Sequence, residues 1–187
     1  MSDKAKRTQT NTITLGSGDL FYKEFEGSEI PDVEKMCIEA NRLGRIKGGA
    51  AISYTPSKTE VKDDKNVVVK TIVTDEEAIL KTGIITWNAK TLGIVCSTAR
   101  VSETETRRTV LIGGPDNENG KSYVITFKHT DNVDGNIWVQ IVGQNNAALQ
   151  LNFTKDTETT IDAEFKALPY LDEEGTLIKY VEEISSK

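Results

Sequence analysis

The chain has 187 residues, which is long enough for one well-buried domain, and 37% of them are apolar. Its net charge of −6 at pH 7 argues against a basic surface that holds nucleic acid through phosphate contacts. The sequence has no apolar run of signal-peptide length at its start, and none approaches the roughly 20 residues that span a bilayer. These features predict a soluble globular protein that is made in the cytoplasm.

Residues 1–15 are predicted to form a flexible N-terminal arm. They include Lys4, Lys6 and Arg7, and they show no apolar periodicity that could bury against a core. The pattern changes at the first predicted strand, Gly18 to Phe25, where apolar and polar side chains alternate as they do on a half-buried strand.

A second strand is predicted from Ile46 to Thr55, again from alternating side chains. The paired Gly48 and Gly49 near its start favour a bulge or a close approach of two backbones. Pro56 is expected to end the ladder, because proline has no N–H to donate.

A long charged loop is predicted to follow, from Pro56 to Asn66. It exceeds the roughly 2–5 residues of an ordinary hairpin loop, and loops of this length are usually functional or disordered. We therefore expect it to project from the domain and to contact a partner. Strands are predicted next at Val67–Val73 and Ala78–Trp87, separated by a polar turn at Asp75–Glu77.

One amphipathic helix is predicted at about residues 88–99, because the hydrophobic period changes there from two to that of a helix. Asn88 can accept hydrogen bonds as its N-cap. Gly93 costs roughly 1 kcal/mol relative to alanine, so the helix should depend on its packing against the sheets. The residues expected to make that packing are Leu92, Val95, Cys96 and Ala99.

The rest of the chain predicts antiparallel strands, with Asp134-Gly135 as the signal for one hairpin turn. The fold class is therefore predicted as mainly β, a two-sheet antiparallel sandwich or barrel with one flanking helix. A single domain should cover residues 16–182, followed by a tail at 183–187. The remaining strands are predicted at Thr109–Ile112, Tyr123–His129, Ile137–Val142, Leu149–Phe153, Ile161–Ala167 and Leu177–Val181.

The sequence predicts no catalytic or metal site. His129 is the only histidine and is expected to be a plain strand-end residue, since a general base needs a nucleophile or substrate pocket. Cys37 and Cys96 form neither a disulfide framework nor a C-x-x-C motif and are expected to be free thiols. The acidic, glycine-containing runs at 116–120 and 131–135 fit hairpin turns better than Ca²⁺ loops. We expect no enzyme activity and no cofactor.

Several runs, taken in order, resemble the tail tube protein of tailed bacteriophages. They are EANRLGRIKGGAAISYTP from Glu39, TDEEAILKTGIITWNAKTL from Thr74, VLIGG, VDGNIWVQIVGQN and TIDAEFKALPYLDEEGTL. The resemblance extends from about Gly16 to Tyr180 and depends on the order of the runs, because no single motif is diagnostic. The tube proteins of type VI secretion and of R-type tailocins have the same fold.

The resemblance implies a self-assembling virion protein of the phage tail. Its copies would form hexameric rings, and the rings would stack into a hollow tube through which DNA passes without specific binding. Further implied partners are a tape-measure protein and either sheath or tail-terminator proteins, with no membrane involved. The resemblance leaves open whether the tail is contractile.

Two surfaces are proposed for this assembly from the sequence. Polar and acidic positions on the late strands are candidates for the lumen, because an acidic lining disfavours adhesion of DNA: Asn152, Thr154, Asp162, Glu164 and Lys166. Deleting Ser57–Lys65 is expected to leave a folded subunit that does not polymerise. The candidate contacts between rings, together with the two termini, are Pro56, Ser57, Lys58, Thr59, Glu60, Val61, Lys62, Asp63, Asp64, Lys65 and Asn66.

Two other functions remain as alternatives. A carbohydrate-binding or adhesion sandwich would use Trp87 and Trp138 for stacking, although aromatic residues make up only 6% of the chain, which is few for such a platform. A sandwich-fold hydrolase would need a base and a nucleophile that converge, and the chain has only one histidine to act as that base.

Overall fold

The computed structural model describes residues 13–27 and 29–184. Over these residues the protein is mainly β, which confirms the predicted fold class. Most of the predicted N-terminal arm and the end of the predicted C-terminal tail lie outside the described residues. The helices are α1 (Val33–Met36) and α2 (Ala89–Val95), and the strands are β1 (Gly18–Phe25), β2 (Arg42–Gly44), β3 (Ile46–Lys62), β4 (Val68–Ile84), β5 (Ala99–Glu103), β6 (Arg108–Ile112), β7 (Ser122–His129), β8 (Ile137–Asn145), β9 (Ile161–Ala167) and β10 (Lys179–Glu182).

The strands form one large antiparallel sheet and one small one. The large sheet has the order β2-β1-β7-β8-β9-β4-β3, and β10 pairs with the part of β8 that β9 leaves uncovered. The small sheet is the β5–β6 hairpin. The central strand β8 is buried from Ile137 to Gly143, so both of its faces are covered.

Two groups of apolar side chains account for this burial. The larger group lies on the face covered by α2 and includes Leu80, Ile125, Ile141 and Phe165. The smaller group lies on the opposite face and contains Met36, Val124 and Val142, with partly buried residues packed around it. Strands such as β9 follow the expected pattern, because alternate residues enter the core and the rest face solvent.

Helix α2 begins as predicted but ends earlier. The Asn88 side chain accepts hydrogen bonds from the N–H groups of Lys90 (2.8 Å) and Thr91 (3.3 Å), so it caps the first turn. Leu92 and Val95 are buried, whereas Cys96 is the C-cap. Ala99 was predicted as the last packing residue of the helix, and this was wrong, because Ala99 begins β5 and pairs with Ile112.

The charged stretch 56–66 is a strand and a tight turn, not a long loop. Strands β3 and β4 pair from Ile46 to Lys62, and Pro56 lies opposite Glu76 within the ladder. Proline fits there because β3 is the last strand of the sheet, so the missing N–H is needed by no neighbour. The predictions that Pro56 ends the ladder and that Asp75–Glu77 is a turn were therefore wrong.

The bulge predicted at Gly48 and Gly49 is present. The register shifts between Lys47 and Ala50, and both glycines have positive φ angles, 79° and 78°. These angles favour glycine over other residues, which explains the pair.

The strand predicted at Leu149–Phe153 is absent, because residues 146–160 lie outside the strands of the structure. Leu149 and Leu151 pack against the larger core group. Their alternation therefore reflects how an irregular segment covers the core. Phe153 lies near Trp87 instead, with ring centroids 6.3 Å apart.

Candidate assembly surface

A two-stranded arm projects from the large sheet. Strand β4 pairs with β9 only from Ile79 to Ile84, so beyond that point β3 is its only neighbour in the described part of the chain. We call residues 54–77 the hairpin arm. All of its residues are exposed except Pro56, which is half-buried. Beyond its base, where Tyr54 and Glu76 border a depression shared with residues 174–178, the arm has solvent on both faces and no paired strand on either outer edge among the described residues.

The hairpin arm exposes apolar side chains on both faces. Val61 and Ile72 lie on one face, as their cross-strand partners Lys70 and Thr59 show, and Val73 lies on the other face opposite Lys58. Val69 is the most exposed of the apolar side chains in β4, at 68%. Contiguous exposed apolar residues on a strand with open edges are typical of an interaction surface.

The tip of the arm is an ordered turn. The Asp63 carboxylate accepts hydrogen bonds from the N–H groups of Lys65 (2.9 Å) and Val67 (2.8 Å). Asn66 has a φ of 62°, a left-handed conformation that asparagine tolerates better than most residues. These contacts hold the end of the hairpin in one conformation, so the arm projects as a formed element.

The two ends of the large sheet differ. At one end, no strand of the described residues pairs with the outer edge of β3, although the start of β3 lies close to β1. At the other, β2 covers β1 only at Leu20 and Phe21, so the outer edge of Tyr22–Phe25 has no strand beside it among the residues described. An edge of this kind offers unpaired N–H and C=O groups to another chain.

Three of the residues predicted to face a lumen share the outer face of β9. Asp162, Glu164 and Lys166 alternate there with buried side chains. Asn152 and Thr154 were predicted on a strand and lie instead in the irregular segment. The structure nevertheless brings both of them beside Asp162, where they line a surface depression of about 550 Å³.

The outer face of β9 carries charges of both signs. Lys81 on β4 lies 2.8 Å from the Glu164 carboxylate, and Lys166 lies 2.8 Å from that of Glu77. Pairs this exposed contribute little to stability, about 0–1 kcal/mol each. Their main effect is to offset carboxylate charge, so the face is less acidic than its β9 residues alone suggest.

His129 serves the fold. Its side chain is 4% exposed, and its Nδ1 donates to the carbonyl oxygen of Ser17 over 2.8 Å. This bond fixes the chain where it enters β1.

Trp138 is 5% exposed, so its burial excludes it from any stacking platform. The Trp87 indole N–H donates to the carbonyl oxygen of Thr159 at 3.2 Å.

Cys37 and Cys96 are both free thiols, as predicted. Burial raises the pKa of Cys37 to about 11.

Within residues 13–27 and 29–184, no group of three or more His, Cys, Asp or Glu side chains is arranged to hold a metal ion. No helix in the described part of the chain is long and apolar enough to cross a membrane.

Alkylation of Cys37 in the folded protein is expected to be slow. At pH 8 a pKa of about 11 leaves a thiolate fraction about a hundredfold below that of an ordinary cysteine, and the thiolate is the reacting species. Iodoacetamide labelling followed by peptide mass analysis measures the rate. The same chain unfolded in urea is the control, and equal rates at Cys37 in the two states would contradict the expectation.

No family model matches the chain, and no curated protein matches it.

Proposed function

We propose that the chain is the structural subunit of a bacteriophage tail tube. Copies join side by side into hexameric rings, and the rings stack into a hollow conduit for DNA in the virion tail. A tape-measure protein would occupy this conduit, and terminator or sheath proteins would contact it. The observation that carries the proposal is the continuation of the large sheet into an exposed arm with two open edges.

Ring formation would use the two different ends of the large sheet. The outer edge of β3 on one copy would meet the outer edge of β1 on the next, so each contact joins unlike surfaces. Contacts of this kind close into a ring when the rotation between copies allows it, and closure leaves no open edge. The sheets of all copies would then form one continuous barrel.

The hairpin arm would reach from one ring to the next. Its length and its exposed apolar residues suit contact with a separate body, because nothing else in the described chain covers them. Each exposed valine that became buried would contribute up to about 1.5–3 kcal/mol. Contacts repeated around a ring would make the stacking cooperative.

The outer face of β9 is the proposed lining of the conduit. Lys81 and Lys166 each lie beside a carboxylate, which offsets part of the positive charge that would attract a phosphate group. A lining of paired charges with an additional carboxylate at Asp162 would let DNA pass without adhering.

Negative-stain microscopy of the concentrated protein tests this proposal directly. Rings of uniform diameter, or tubes built from them, are the expected result. Sedimentation velocity across a range of concentrations should show growth from a small species to large assemblies. A protein that stays monomeric at all concentrations and shows neither rings nor tubes would overturn the proposal.

Replacing Lys58 with proline is expected to impair assembly without unfolding the subunit. Pro56 occupies the ladder without an N–H, and we expect the N–H of Lys58, two residues later along β3, to point to the outer edge as well, because the register shift after Ser57 leaves the extra residue, Thr74, on β4. Its removal costs a neighbouring strand about 0.5–1.5 kcal/mol for the lost bond, and the ring adds a steric clash. The concentration needed for assembly should rise about tenfold, as measured by sedimentation.

The matched control for this variant is Lys58→Thr. It removes the same charge and keeps both the N–H and the preference for a strand. Circular dichroism should show the same melting temperature for both proteins. If Lys58→Pro and Lys58→Thr assemble at the same concentration, the outer edge of β3 at this position is not part of a contact.

A further inference from the structure

A groove lies at the end of β1, beside the segment that follows β9. It has a volume of about 750 Å³, and its apolar wall comprises Phe25, Ile30, Tyr170 and Leu171. The rings of Phe25 and Tyr170 stack with centroids 5.6 Å apart and planes at 18°. We call it the Phe25–Tyr170 groove.

The groove is held in shape by the segment that follows β9. The N–H of Leu168 donates to the carbonyl of Val142 at 2.7 Å, which attaches this segment to the sheet. The Asp172 carboxylate accepts hydrogen bonds from the N–H groups of Glu174 (3.1 Å) and Thr176 (2.9 Å). A ligand would therefore meet a formed wall, which lowers the entropic cost of binding.

The rim of the groove is acidic. Glu29, Asp172 and Glu173 line it, and no lysine or arginine in the described part of the chain does. Hydrogen bonds from Thr176 lower the pKa of Asp172, so this carboxylate stays ionised at neutral pH. Glu29 also borders a neighbouring depression that contains Lys23 and Lys35, so the negative charge is strongest at Asp172 and Glu173.

This combination suits a short basic segment. The stems of lysine and arginine pack on apolar walls while their charged ends reach carboxylates, and an arginine can lie over an aromatic ring. The chain supplies such a segment in Lys4, Lys6 and Arg7, which stand close together in the sequence. The segment precedes the described part of the chain.

The route of the chain favours a groove on another copy. Gly18 and Phe25 stand at opposite ends of β1, about 23 Å apart at the rise of a strand. To reach its own groove, the segment would have to run back along β1. Ile13 and Leu15, which lead into β1, are instead 73% and 78% exposed, so they do not pack along their own subunit.

We propose that Lys4–Arg7 of one copy binds in the Phe25–Tyr170 groove of a neighbouring copy. The basic side chains face the acidic rim, and Arg7 lies over the stacked rings. The inference rests on the proposed function only in that it takes copies of the chain to stand side by side. It assigns the N-terminal segment a receptor that is separate from the strand edges.

Binding of a labelled peptide to the full chain tests this inference. The peptide carries residues 1–17, and the protein carries Lys4→Glu, Lys6→Glu and Arg7→Glu, so its own segment does not compete. Fluorescence anisotropy should show saturable binding that weakens as salt is raised from about 0.05 to about 0.5 M. Adding Glu29→Lys and Glu173→Lys to the protein should weaken binding at least about tenfold. Asp172 is left unchanged because it holds its own loop.

Two controls separate a specific site from general charge attraction. Glu105→Lys and Glu118→Lys make the same change in net charge at exposed positions outside the groove and should leave binding within about twofold. A peptide with the three basic residues changed to glutamate should bind the protein that carries Glu29→Lys and Glu173→Lys. It should not bind a protein whose groove is unchanged. Absent binding, or equal losses in the two pairs of variants, would overturn the inference.

A mixing experiment decides which copy supplies the segment. One protein carries Lys4→Glu, Lys6→Glu and Arg7→Glu, and the other carries only Glu29→Lys and Glu173→Lys. Each should associate poorly alone. The two should associate when mixed, because each provides the segment or the groove that the other lacks. Binding within one chain predicts no gain on mixing and would overturn the assignment to a neighbour. Rings without peptide binding would refute this inference alone, whereas peptide binding without rings would refute the tube.

Discussion

Replacing Phe165 with alanine is expected to lower the free energy of unfolding by about 3–5 kcal/mol. Its side chain is 0% exposed and belongs to the larger core group. Strand β9 lies between β4 and β8, and Phe165 pairs with Leu80 on one side and Asn145 on the other. Strands on both sides hold the backbone in place, so the cavity left by the ring cannot close.

Urea unfolding followed by circular dichroism measures the loss. The neighbouring substitution Lys166→Ala is the control, because it removes an exposed ion pair with Glu77 from the same strand and should cost no more than about 1 kcal/mol. Similar losses for the two variants would show that β9 does not contribute the centre of the core.

Strands with one buried face were predictable from the sequence. In β1, β7 and β9 the period of two follows directly from alternate burial, and the predicted bounds lie within a residue or so of those observed. The core position of Phe165 follows from the same alternation. The order of strands in the sheet was not predictable, because it depends on contacts between segments far apart in the chain.

The β3 half of the hairpin arm was missed as a strand for a physical reason, whereas a strand was predicted in the β4 half at Val67–Val73. Its residues are exposed on both faces, so no buried side chain imposes a period of two on the sequence. The backbone ladder between β3 and β4 supplies the order instead, and it places few demands on side-chain polarity. The prediction from Pro56 was wrong for a related reason. Whether a proline interrupts a ladder depends on whether its backbone nitrogen faces a neighbouring strand, and the sequence does not show this.

Predictions from periodicity were also wrong where a short apolar pattern is compatible with more than one secondary structure. Leu149 and Leu151 face the core from an irregular segment, and Ala99 continues a helical spacing after the helix has ended. On the candidate surface, Asp162, Glu164 and Lys166 were correctly placed on one strand face. Their partners Lys81 and Glu77 follow only from the register between β4 and β9.

A subunit whose hairpin arm is cut back to its base is expected to fold and to form no tubes. Simple deletion of Ser57–Lys65 is a poor test, because most of those residues belong to β3 and their loss would leave half of β4 unpaired. Replacing residues 58–74 with Asn-Gly is better. Ser57 and Asp75 already pair, and a two-residue Asn-Gly turn closes such a hairpin without strain.

The shortened protein should be as stable as the original, since every residue removed is exposed. Its melting temperature should change by no more than a few degrees, whereas microscopy of the concentrated protein should show neither tubes nor stacked rings. Isolated rings would locate the arm between rings, and a strict monomer would place it within the ring as well. Asp64→Ser with Lys65→Ser is the matched control, because it changes the tip and keeps the length of the arm. Long tubes from the shortened protein would show that the arm is not needed for assembly, because the subunit would then stack without the exposed extension of its large sheet.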